Sequence, residues 1–541
     1  MNRAKHDRAR LVAALWKLKQ EIGRRTLPDV PFVHLNLLLR QPDYRTDIIA
    51  RAFGSGDDVL ASLAAQIKEM DPGGPLLVDP RDQQWLHERD QQLAAALEGE
   101  LRRVAKTGRG YRLSFIASAL GLIALIFGYF YWQQIAGGVV MVSGALSGET
   151  TWSAGRVYRL QDIVTVAPGA LLKIEPGVTI EGLPGSALLV TRGALLHAKG
   201  SAAQPIVFTS GQEVGKRQPG DWGGVVLLGD APVNVGQGSI EGFPAGDEHA
   251  LYGGTDPAGS CGVLEYVRIE FAGYEALADN ELNGLTLGGC GSGTIVRYLQ
   301  VHRSLDDGVE IFGGTVNLEH VLITQARDDG LDFDQGWTGR MQFMIVQQTE
   351  TGDNAIEGDN NSKDHEALPR SAPAIYNATL IGSRRGAQRA MVLRTGTAGE
   401  FANFLVTGQA VEFVDLRDPA TIRQVQSGAL TFKAMIVHEI GMNGTTWFTD
   451  ESGADDDGGF SEATLLARPG AEISTLNHPR LPGDRDNARA PNFTPLPGKV
   501  LEAGLRPPQD RFQDETATWL GAVLPGDAAP WYDGWSAFPV N

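Results

Sequence analysis

The sequence predicts an all-β, right-handed parallel β-helix outer domain, joined by a single transmembrane helix to a small α-helical N-terminal domain. Three observations lead there. Residues 113–132 form an uncharged run of about 20 residues, the length needed to cross roughly 30 Å of hydrocarbon. After about residue 140, short Val/Ile/Leu/Phe patches are punctuated by Gly, Asp and Asn, and helix-favouring runs become sparse. Within that part, related segments recur every 22 residues. A chain of 541 residues also exceeds one ordinary compact domain, which favours several units or an elongated repeat.

Residues 1–112 read as the helical domain. "RARLVAALWKLKQEIGRR" places Leu11, Ala14, Leu15 and Leu18 at helical spacing, and "DDVLASLAAQIKEM" does the same with Leu60, Leu63, Ala64 and Ile67 before the stop signal "DPGG". "DQQWLHERDQQLAAALEGELRRVAK" is a third, polar helix leading into the apolar run. That run, residues 113–132, ends in the interfacial aromatics Tyr129, Phe130, Tyr131 and Trp132, with no small-residue cleavage site close behind it. These features favour a membrane span over a core helix or a displaced signal peptide. Arg102, Arg103, Lys106, Arg109 and Arg112 precede the run, and no Lys or Arg follows it until Arg156. The expectation is an inner (plasma) membrane protein with a cytoplasmic N-terminus and a periplasmic or extracellular C-terminal part. The outer part carries about 28 basic and 50 acidic side chains, so nearly all the net charge of −18 lies there. Such a surface disfavours nucleic acid and attracts divalent cations.

Residues 133–150 are read as a linker and N-terminal cap, 151–449 as the β-helix and 450–541 as a Pro/Gly-rich C-terminal cap folding over the far end. The repeat is clearest where "VRYLQVHRSLDDGVEI" aligns with "LEHVLITQARDDGLDF". Leu299, Val301, Val309 and Ile311 then fall on Val321, Ile323, Leu331 and Phe333. A third copy, "FMIVQQTETGDNAIEG", follows a three-residue insertion around residues 335–339. Strands this short leave no room for a crossover helix, and inward apolar columns 22 residues apart describe a solenoid whose rungs are spaced about 4.8 Å. Cys261 and Cys290, separated by 29 residues, fall on neighbouring rungs and are expected to form a disulfide if the compartment is oxidising; otherwise they are two buried thiols.

Several segments also resemble a known group. "PGDWGGVVLLGDAPVN", "DDGVEIFGGTVN", "RDDGLDFDQGWTGRMQF", "SAPAIYNATLIG" and "TATWLGAVLPGDAAPWYDGW" occur in an order similar to that of the right-handed parallel β-helix, pectin-lyase-like superfamily. Within it, the chain most resembles exported bacterial β-helix proteins of unassigned activity. The resemblance spans about residues 145–541 and implies fold and export more strongly than chemistry.

The acids of "RDDGLDFDQGWTG" are the main candidates for chemistry. Inward Leu331 and Phe333 force Asp332 and Asp334 outward, because neighbours on a strand alternate. Stacking the rungs gives one column of Glu310, Asp332 and Glu357, and another of Asp307, Asp329 and Asn354. Carboxylates about 5 Å apart repel by roughly 0.8 kcal/mol in water and about 3 kcal/mol at an effective dielectric of 20. An exposed column is tolerable, whereas one in a groove needs a cation, a shared proton or an Arg. Three readings stay open. The column is a solvated face neutralised by Arg327, Arg340 or Arg389; a Ca2+ site drawn from Asp307, Glu310, Asp329, Asp332, Asp334 and Glu357; or an acid/base pair using Asp307, Asp329 or Asp332. Trp337 is the one aromatic placed to stack a sugar, against simple packing over the rung turn. His302 and His320 are read as stacked or surface groups, Trp222 of "GDWGG" as packing at a tight corner, and "ESGADDDGGF" as an acidic loop.

Neither Gly-His-Gly nor Arg-x-Lys, expected of β-helix polygalacturonases, occurs in an appropriate context. The leading expectation is therefore a membrane-anchored, non-catalytic binding or structural module for envelope glycan or a protein partner. A calcium-assisted polysaccharide lyase or glycoside hydrolase is the alternative, and a transmembrane sensor with a cytoplasmic partner is a third.

Overall fold

The computed structural model describes residues 11–18 in part, 42–71, and 138–541 apart from short stretches such as 278–279 and 449–457. The chain divides into two compact units, Met1–Gly138 and Val139–Asn541. The apolar run 113–132 and the third N-terminal helix lie outside the described residues, and among those described no helix is long and apolar enough to cross a membrane.

In the first unit, Asp57 caps the helix Asp58–Met70 by accepting from the backbone N–H groups of Val59 and Leu60, which satisfies two of the donors a helix start leaves free. Leu60, Leu63, Ala64 and Ile67 pack with Leu11, Leu15 and Leu18, as their spacing predicts, and with Ile48, Ile49 and Ala52 of the helix Pro42–Phe53. Ala14 is only partly buried beside them. Arg45 is fully buried in this small core and pairs bidentately with Asp71 at 2.7 and 2.8 Å.

The second unit is a parallel β-helix: among the described residues 23 strands join in one sheet, and two short antiparallel pairs, Gly238–Ser239 with Leu251–Tyr252 and Glu275–Leu277 with Asn280–Glu281, stand outside it. The early rungs are built of short strands separated by turns at Gly169, Gly177, Gly185 and Gly193, eight residues apart and all at φ 77–81°. Later rungs alternate a short strand with a long one. The long strands each bend at one residue of positive φ: Tyr298, His320, Phe343, Asn377 and Asn403. The register follows the repeat. Leu299 pairs with Val321, Val301 with Ile323, Val309 with Leu331 and Ile311 with Phe333, and the insertion shifts the next rung so that Leu331 meets Ile356. These side chains form the continuous inner core.

The glycine of each DDG triplet has a steric cause. A Cβ on Gly308 would lie 2.6 Å from the carbonyl oxygen of Gly330, and one on Gly330 would lie 2.7 Å from that of Ala355. Successive rungs therefore touch backbone to backbone at this column. Cys261 and Cys290 form the expected disulfide, with S–S 2.03 Å. Trp222 packs at its corner, fully buried, and its indole N–H donates to the Glu270 carbonyl at 2.9 Å.

The C-terminal segment departs from the cap expected of it. Leu465 and the strand Ile473–Thr475 do add to the last rung, the latter pairing with Leu430–His438. From Leu481 onward, however, the chain runs back along the flank: Leu481, Phe493, Leu501, Leu520 and Tyr532 cluster with Leu322, Ile345, Ile381 and Leu405 of the long strands.

Gly330→Ala should destabilise the coil by about 1–3 kcal/mol, the usual cost of overpacking a filled interior. Thermal unfolding checks this, with Gly483→Ala, where a Cβ meets nothing, expected to leave the midpoint unchanged.

Candidate functional site

The short strands Leu285–Gly288, Val309–Phe312, Leu331–Asp334 and Asn354–Gly358 stack side by side and carry the acids on their outer side. Glu310 pairs with Asp332 and Asp332 with Glu357, so the first predicted column exists. The second exists as well, joined by hydrogen bonds. Asp307 Oδ1 accepts from the Asp329 backbone N–H at 2.9 Å, and Asp329 Oδ1 accepts from that of Asn354 at 2.6 Å.

The solvated-face reading fails. Asp307, Glu310 and Asp329 are 7, 6 and 4 % exposed, while Asp332 and Asp334 are only partly exposed. Beside them rises an apolar wall of Val233, Ile240, Tyr252 and Leu282 packed on Phe312, with the Tyr252 hydroxyl donating to Gln335 at 2.8 Å. The acids therefore line a groove between the coil and the chain around Val233, Ile240, Tyr252 and Leu282.

Burial of this kind penalises the ionised form. It is the first cause that lifts Asp307, Glu310, Asp329 and Asp332 well above the usual carboxylate range, and repulsion adds to it. Asp306, Asp332 and Asp329 act on Asp307, whereas Asp332 and Glu241 act on Glu310. Asp334 is pushed up to about 7 by burial and then by Asp359; burial also raises Asp328 and Glu357. A proton or a bound cation relieves this penalty at each of these groups.

Three sets of acids converge closely enough to share an ion. Asp306, Asp307 and Asp328 form one, Asp307, Glu310 and Asp332 a second, and Asp328, Asp329 and Asp353 a third, with the oxygens of each set within 4.8 Å of one another. Metal–oxygen bonds of about 2.3–2.6 Å to Ca2+ allow that separation. Polar oxygens without partners lie among them. Asn283 donates to Glu310 and Asn354 to Glu357, yet both amides leave Oδ1 buried without a hydrogen bond, as does Asp332 with its own Oδ1. Such oxygens cost free energy unless something donates to them or is coordinated by them.

The basic partner was not among the arginines expected. Arg340 pairs with Asp510, and Arg389, although it stands beside Asn354, pairs with Glu412 at 2.9 Å and Asp415 at 3.2 Å. Arg394 serves the cluster instead, contacting Glu357 and binding both oxygens of Asp359 at 2.9 and 3.0 Å. Burial works against its charge, but Asp359 and Glu357 outweigh it and hold the guanidinium above its ordinary pKa. The insertion at residues 359–373 breaks the 22-residue spacing, which is why the alignment did not bring Arg394 to Asp359.

Trp337 is also corrected. It is fully buried, lies 5.5 Å from Phe333 and donates its indole N–H to the Val316 carbonyl at 3.0 Å, so no sugar can reach its face. His302 is buried between Thr324 at 2.7 Å and the Pro539 carbonyl at 2.9 Å, with its pKa pushed down to about 3 by burial. His320 stacks between Tyr298 at 4.5 Å and Phe343 at 4.7 Å. Most of the "ESGADDDGGF" loop lies outside the described residues.

No curated protein and no solved structure matches the chain. Residues 144–464 match the family model described as the pectate-lyase-like β-helix domain. That span includes the disulfide, every acid of the groove and Arg394. The continuous parallel coil agrees with it independently, and the chain belongs to the pectate-lyase-like β-helix family.

Proposed function

We propose that the second unit is an extracytoplasmic module that binds an envelope glycan through a divalent cation, Ca2+ being the best fit, held in the acidic groove. One observation carries this reading: the carboxylates of Asp307, Glu310 and Asp332 lie within 4.8 Å of one another where burial and mutual repulsion disfavour their ionisation, and two further sets flank them through exposed Asp328. Asp307, Glu310, Asp329 and Asp332 supply the ligands, Asp334 and Glu357 border them, and glycan hydroxyl or carboxylate oxygens complete the ion's shell. Residues 113–132 anchor the module in the inner membrane as a single span, leaving residues 1–112 in the cytoplasm; the run of apolar residues and its flanking charges support this.

Binding is favoured over cleavage by Arg394. Eliminative cleavage needs a base, and the carboxylates around Arg394 raise its pKa rather than lower it. Incubation of the protein with Ca2+ and acidic or neutral bacterial polysaccharides should give retention without unsaturated or reducing-end products. Product release that is lost in Asp329→Ala would establish an enzyme instead.

The pH dependence has a definite sign. Folded-state carboxylates raised above their unfolded values of about 4 bind more protons than the unfolded chain does, so stability falls as pH rises through that window. The window reaches about 7 for Asp334. In EDTA the unfolding midpoint should therefore be several degrees lower at pH 8 than at pH 5.5, and millimolar Ca2+ should recover more of it at pH 8.

Asp332→Asn separates repulsion from binding. It removes one charge from the centre of the column, so the variant should be more stable than the parent in EDTA at pH 8. Calorimetry should nevertheless find its Ca2+ affinity reduced at least roughly tenfold, as expected when a ligand carboxylate is replaced. A parent protein with neither heat of Ca2+ binding nor a thermal shift would remove the cation from the proposal.

A further inference from the structure

The flank opposite in character to the groove carries amides and aromatics rather than acids. Gln300, Gln342, Asn377 and Asn403, one from each of four long strands, are all fully buried beneath the C-terminal segment. Three of them each hold both the N–H and the C=O of one residue of that segment. Gln300 donates to the Ala537 carbonyl at 2.7 Å and accepts from the Ala537 N–H at 2.9 Å. Gln342 does the same with Asp514 at 3.2 and 2.6 Å, and Asn403 with Leu505 at 2.7 Å in both directions. Asn377 donates to the carbonyls of Ala517 and Trp519 at 3.1 and 2.7 Å. A side-chain amide used in this way copies a strand's pairing and recognises backbone rather than side-chain identity.

Register comes from rings. Tyr266, Tyr298, His320 and Phe343 stack from rung to rung at 4.4, 4.5 and 4.7 Å. Against that ladder stand Trp535 on Tyr266 at 5.8 Å, Trp531 on His320 at 5.1 Å and Trp519 on Phe343 at 6.0 Å. Among its described residues the segment has a 3-10 turn, Lys499–Glu502, just before its docked portion, and no strand. Its order derives from the flank on which it lies.

We propose that this flank is a peptide-binding track, and that residues 505–539 occupy it as a ligand which the same segment of a second copy of the chain can replace. Such exchange joins two copies without any new contact, because the incoming segment makes the bonds that the outgoing one releases.

The test uses the full chain with a protease site inserted at the exposed residues 487–490, cut after folding. The cleaved C-terminal piece should stay with the coil through gel filtration, and excess fluorescent peptide of residues 489–541 should replace it over hours. Peptides carrying Ala537→Pro, or an N-methyl group on the Leu505 nitrogen, lack one gripped N–H and should compete at least roughly tenfold more weakly, the cost of leaving a buried acceptor unpaired. These changes leave the coil untouched, so weaker competition cannot reflect misfolding. Loss of the piece on cutting, failure of the labelled peptide to enter at large excess, or equal competition by the two altered peptides would each overturn the proposal.

Discussion

Every feature of the second unit depends on one constraint: parallel strands stacked in register, about 4.8 Å apart, place whatever side chain occurs at a position directly above its counterpart one rung away. Apolar columns gain from this, and Val309, Leu331 and Ile356 form part of a continuous core. Glycine columns gain too, since Gly308 and Gly330 let carbonyls approach where a Cβ would collide. Aromatic columns stack face to face, which offsets the positive φ that Tyr298, His320 and Phe343 adopt at the bends. Acidic columns are the exception, because the same spacing that makes a core concentrates like charge.

The coil's two flanks resolve their polar groups in different ways. On one, the amides of Gln300, Gln342 and Asn403 are satisfied by the chain's own C-terminal segment. On the other, Asp307, Glu310, Asp329 and Asp332 have partial satisfaction: backbone N–H groups for Asp307 and Asp329, one amide for Glu310 and a buried unpartnered oxygen on Asp332. Arg394 neutralises the end of the column near Glu357 and Asp359 and its charge reaches Asp332, which leaves Asp307 and Glu310 to other means. A rigid core beneath makes relaxation of these acids costly, so the groove keeps a geometry suited to an ion.

Much of this was legible from local pattern. The 22-residue repeat fixed which residues face in, which acids share a column and where the insertion displaces the next rung, because strand alternation and rung register are arithmetic on the chain. The disulfide and the buried Trp222 followed from similar reasoning. Burial was not legible, since the wall of Val233, Ile240 and Tyr252 comes from excursions outside the repeat and turns an outward column into a groove. The same limit hid Arg394, displaced by the insertion after Asp359, and left Trp337 open between stacking a sugar and packing over the turn, since its position in an insertion gave no sign that its ring turns inward onto Phe333. The C-terminal segment was expected over the end of the coil because nothing in its Pro/Gly-rich composition signals that Gln300, Gln342 and Asn403 would hold its backbone along the side.

Burial and mutual repulsion raise the affinity of the stacked acids for protons, so a cation entering the groove competes with protons for them. Counting protons released as Ca2+ is added to the apo protein, in weakly buffered solution near pH 7, measures that exchange directly. More than one proton released per bound ion, with release diminishing toward high pH where the groups have already ionised, is the predicted result. Binding of Ca2+ with no proton release at any pH would show that the carboxylates were ionised beforehand, and would contradict a proton affinity raised by stacking and burial.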